Sequence, residues 1–84
     1  MNEHTSILMK QIDLERSFIH DLASPLMIAG GMTDYVLSKI EDSDPHRKRL
    51  TSAFEAINKM TETLNSRRTV LTDQVEALRK ANDL

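Results

Sequence analysis

Two runs of apolar residues, each spaced alternately four and three apart and separated by one polar break, limit this chain to very few folds. In the first run Leu8, Ile12, Ile19, Leu22, Leu26, Ala29, Val36 and Ile40 fill eight of ten such positions, the exceptions being Glu15 and Thr33. In the second, Leu50, Phe54, Ile57, Leu64, Leu71, Val75 and Leu78 fill seven of nine, with Thr61 and Arg68 as exceptions. This is coiled-coil spacing, and it predicts two long helices. Leu14, Phe18, Ile28, Met32 and Leu37 widen the first stripe. A stripe that wide serves two packing neighbours, as in a bundle.

The break is Glu41-Asp42-Ser43-Asp44-Pro45. Asp44 suits an N-cap and Pro45 the first helical position after it. The boundaries expected are helix 1 over about 5–41, a turn at 42–44 and helix 2 over about 45–81, with Thr5 or Ser6 capping the first helix. A connection so short makes the helices antiparallel neighbours. Ile12 then comes beside Val75, Leu26 beside Thr61 and Thr33 beside Phe54, while His20 sits at the height of Arg67 and Arg68.

The chain of 84 residues is one small domain, and a lone hairpin of this size leaves much of its apolar surface wet. The fold class expected is therefore all-α, an antiparallel two-helix hairpin that dimerises into a four-helix bundle. Three aromatic residues, two glycines and two prolines favour helix over sheet. A net charge of −2 without a basic patch argues against nucleic acid as a partner. The absence of Cys excludes disulfides and thiolate metal sites. No apolar run reaches the roughly 18 residues of a membrane span, and the first ten residues do not look like a signal peptide. No direct membrane contact is expected, and a cytoplasmic domain fits, whether or not a parent protein is membrane-anchored.

Within helix 1, Pro25 is a fault. Lacking an N–H, it leaves the Asp21 carbonyl without its helical partner, at a cost of roughly 3 kcal/mol in a helix interior. A bend is expected one turn after His20. Ser24 shares the strip of His20, and Asp21 projects to one side of it. With Ile19 and Leu22 pointing inward, His20 points out. A solvated imidazole is mostly neutral at pH 7 and keeps one ring lone pair for attack. Asp21 could fix the tautomer through the other nitrogen and take up its proton. No His pair is spaced i, i+4 and no HExxH occurs, so no metal site is expected. Gly30 and Gly31 each cost helix 1 about 1 kcal/mol relative to Ala, which a close helix approach, a soft spot or a flat docking surface would explain.

The segment His20-Asp21-Leu22-Ala23-Ser24-Pro25-Leu26 resembles the phosphoacceptor box of bacterial sensor histidine kinases: His, an acid, an apolar residue, commonly a base, then Thr, Ser or Asn, Pro and Leu. Six of the seven positions fit, and Ala23 stands where the family commonly has the base. Gly31 also sits where that family often has a small residue. The pattern covers about residues 18–37.

The resemblance implies the dimerisation and histidine phosphotransfer domain of a two-component kinase. His20 would be the phosphorylated residue, Asp21 the acid or base beside it, Ser24 the group orienting water in dephosphorylation and Pro25 the bend. A response-regulator receiver domain would dock toward the hairpin end and accept the phosphoryl group on its own Asp. Met27, Gly31 and Asp34, with Ser52, Glu55 and Lys59 of helix 2, are the surface expected for it. Arg68 in a core register suggests a side chain that snorkels to the surface or pairs with an acid such as Glu15; alternatively Arg67 or Arg68 offsets phosphoryl charge. Without a glycine-rich loop or a Mg²⁺ carboxylate in this chain, ATP and Mg²⁺ would be bound by a catalytic domain supplied in cis or trans, and the chain alone would not phosphorylate itself. Two other readings stand beside this one: a stand-alone phosphotransfer relay, and a structural coiled-coil hairpin dimer in which His20 does no chemistry.

Overall fold

The computed structural model describes residues 2–83. Two 37-residue helices, α1 (Glu3–Lys39) and α2 (Arg47–Asp83), pack against each other, with no strand among the described residues. The molecule measures 62 × 17 × 14 Å, with a radius of gyration of 18.8 Å. A compact domain of this length would have a radius near 12 Å, so this is one layer of helix pairing without a second layer over it.

The start of α1 differs from expectation. Asn2 is the cap, its side-chain oxygen accepting from the Thr5 N–H at 2.7 Å. Asn is among the best residues for that role, and Thr5 is instead buried at 8% exposure. The helix then continues unbroken through Pro25.

The connection is longer than the expected turn, because helix stops two residues early and resumes two residues late. Ile40 is extended. Asp44 does act as a cap on the α2 side, accepting from the His46 N–H at 2.8 Å through its carboxylate. Its carbonyl accepts from Arg47 N–H at 3.1 Å. That i to i+3 closure is a tight turn headed by Asp44-Pro45, and regular α structure begins only at Arg47. Arg47 also ties the end together. Its guanidinium donates to the carbonyls of Leu37 at 2.8 Å, Ile40 at 2.7 Å and Glu41 at 3.2 Å, satisfying acceptors that a helix C-terminus leaves open.

The core sits toward the open end of the hairpin. Ile12, Ile19, Leu71 and Val75 are buried, with Met9, Leu64 and Leu78 packed against them. Ile12 and Val75 thus share one cluster, as the apolar spacing requires. In the loop half the helices approach closely at Gly30, where a Cβ would lie 3.3 Å from Ile57 Cγ2. Along both halves the wide face of α1 stays exposed, with Phe18 at 63% and Met32 at 67%. Among the described residues no helix is long and apolar enough to cross a membrane.

Candidate functional site

Ile19, 2% exposed, fixes the orientation of its neighbour. One step of about 100° round the helix carries His20 out of the seam, and its side chain is exposed, as are those of Asp21, Ser24 and Pro25. The strip of α1 that bears His20 continues toward the loop through Met27, Gly31 and Asp34. These three line a single groove between the helices, together with Ala23, Leu26 and Gly30. Met27 is 76% exposed.

The facing wall of this groove is Phe54, Ile57, Asn58, Thr61, Asn65 and Arg68. Ser52, Glu55 and Lys59 are not on it. Lys59 lines a second groove on the other side of the hairpin, with Leu22, Leu26, Ala56, Met60, Thr63 and Leu64. Ser52 and Glu55 are exposed and line neither. Residues 54, 58, 61, 65 and 68 advance by three or four and stay on one side of α2, whereas 52, 55 and 59 are turned away from it. Asn58, Thr61 and Asn65 carry no mark in the sequence beyond this phase, which Phe54 could have supplied.

The two adjacent arginines part company. Arg67 donates to both carboxylate oxygens of Glu15, at 2.6 and 3.0 Å. This fork holds the Glu15 carboxyl below its ordinary value and raises the guanidinium in turn, each chiefly through the hydrogen bond. Glu15 thus pairs with Arg67, and of the two roles the core register suggested for Arg68 it is the surface one that the structure shows. The pair lines a groove near the open end with Leu8, Gln11 and Leu78. Arg68 is exposed on the His20 side.

His4 and His46 lie far along the hairpin from His20, one near each end. Among the described residues no group of three or more His, Cys, Asp or Glu is placed to hold a metal ion. Chemically, the site offers a solvated nucleophilic nitrogen, a neighbouring carboxylate, and an open groove beside them. Comparison with known proteins finds no matching family model, curated protein or solved structure.

Proposed function

We propose that this chain is the dimerisation and phosphoacceptor domain of a two-component sensor histidine kinase, phosphorylated on His20 and passing the group to a receiver-domain Asp. The observation that carries the reading is the exposure of His20 on a helix strip leading into a groove, within a segment whose order of His, acid and proline is not explained by packing. The lone pair of one imidazole nitrogen forms the N–P bond while the bond to the γ-phosphorus of ATP breaks and its electron pair leaves on ADP. The proton of the other ring nitrogen passes to Asp21 or to solvent. In onward transfer a receiver carboxylate oxygen attacks phosphorus and the pair returns to the ring. The groove bearing Met27, Gly31 and Asp34 is the receiver's seat in this reading. Two hairpins, joined through the exposed apolar face of α1, make the four-helix bundle.

The test is mass measurement after incubation with a histidine-kinase catalytic domain and ATP. A single added phosphoryl group, lost in acid and absent from His20→Gln, is expected. An unlabelled parent chain would leave the hairpin a structural dimerisation element.

A further inference from the structure

A phosphorylated imidazole would bring close to two negative charges to a surface position, and two arginines stand within a turn of His20 in height. Arg16 precedes it by four residues, which puts the two side chains on one strip with Cβ atoms about 5–6 Å apart. Arg68 stands on the other helix at a similar height. Counting back along the antiparallel helices from the Gly30–Ile57 contact brings Arg68 level with Ile19 and His20. Arg68 lines the groove that also holds Ala23, one turn beyond His20.

Among the described residues the ion pairs are Arg47–Asp42 and Arg67–Glu15, so Arg16 and Arg68 belong to neither. Arg67 is spent on Glu15, whereas its neighbour is left over. The other charged groups of this region are Asp21 beside His20, Asp13 a further turn back, and Arg67, which the Glu15 fork retains. Arg16 and Arg68 lie outside both ion pairs, and a dianion between them would gain charge-assisted hydrogen bonds from each.

We propose that Arg16 and Arg68 form a two-helix cradle for the phosphoryl group on His20. They are positioning residues: they do not touch the imidazole nitrogen that reacts, but hold the phosphoryl oxygens by charge-assisted hydrogen bonds. The cradle spans both helices, so it exists only while the hairpin keeps its register. This inference rests on the reading of His20 as phosphoacceptor, and its test separates the two.

The chain is loaded chemically with phosphoramidate on a His4→Gln, His46→Gln background. The imidazole lone pair forms the N–P bond as the P–N bond of phosphoramidate breaks, its electron pair leaving on ammonia and the displaced ring proton passing to solvent. The phosphorus resonance is then followed against pH. Cations beside the group favour the dianion, so its last ionisation should fall about one pH unit lower than in an Arg16→Gln, Arg68→Gln chain. Arg68→Lys should restore part of the difference, and Arg79→Gln, far along α2, should leave it in place. Circular dichroism checks that each variant is still helical. Equal ionisation in the parent and the doubly substituted chain would overturn the cradle, even if a kinase domain labels His20. Conversely, failure of that domain to label a chain that shows the shift would remove the kinase reading and leave the cradle as an anion site.

Discussion

At the scale of single residues, the adjacent glycines separate into two kinds. Gly30 is accounted for by this chain alone, because a Cβ there would press to 3.3 Å on the stiff, β-branched Ile57. Gly31 has nothing within 4 Å of where its Cβ would stand, yet it costs the helix about as much. Gly31→Ala should therefore stabilise the protein by up to about 1 kcal/mol, since the native backbone is helical and the unfolded chain loses freedom. Gly30→Ala should gain less or lose. Thermal unfolding at one fixed concentration compares them, and equal gains at both sites would contradict the close approach seen at Ile57. If the groove seats a receiver, Gly31→Ala should also slow onward transfer while raising stability. A methyl group that changed only stability would leave Gly31 without a role in docking.

At the scale of the elements, the Glu15–Arg67 fork is the ion pair that joins α1 to α2 away from the loop among the described residues. Its carboxyl is held below the ordinary value of 4.5 in the folded state. The stabilisation is thus present above that value and disappears as pH falls through the lower folded-state value. Comparing the unfolding midpoint of the parent with that of Glu15→Gln should show a small advantage for the parent at neutral pH. The advantage closes in acid and shrinks in high salt, because both side chains are well solvated. A gap that persisted in acid strong enough to protonate this carboxyl in the folded state as well would assign the difference to packing. What the sequence makes legible here is the pairing of stripes: Ile12, Ile19, Leu71 and Val75 follow from their spacing, and so does the outward turn of His20. What it does not show is the rotation of each helix about its own axis. Glu15 and Arg68 both interrupt their stripes, which suggests pairing them, but they leave the seam on opposite sides, and Arg67 is the one on the Glu15 side. The same rotation turns Lys59 into the second groove and brings Asn58, Thr61 and Asn65 to the first. The loop departs from expectation for a local reason. Asp44-Pro45 closes a tight turn, and Arg47, an ordinary basic residue in the sequence, meets three carbonyls at the end of α1 and just beyond it.

For the whole molecule, the balance of covered and uncovered surface decides the state of assembly. Four apolar side chains are buried, while Leu14, Phe18, Met32 and Val36 on one side of α1 range from 39% to 67% exposed. Their spacing by about one turn or a few turns makes a ridge, and the groove lined by Leu22, Ala56 and Met60 runs beside it. In the proposed four-helix bundle a hairpin with so small a core would gain the missing burial from a copy of itself, and its stability would then depend on concentration. The unfolding midpoint should rise with protein concentration, and sedimentation equilibrium should give twice the chain mass. Phe18→Asp should weaken the pairing by about a hundredfold, because two copies of the ring leave the interface at roughly 1.5 kcal/mol each. Met27→Asp is the matched control. Met27 is more exposed than Phe18 but borders the groove on the His20 side, so it should leave the dimer intact. If Met27→Asp dissociated the protein and Phe18→Asp did not, the twofold would lie across the His20 face and the imidazole would be closed to any partner. If neither changed a monomeric mass, the α1 ridge would have no second hairpin to cover it, and the four-helix arrangement would fall with it.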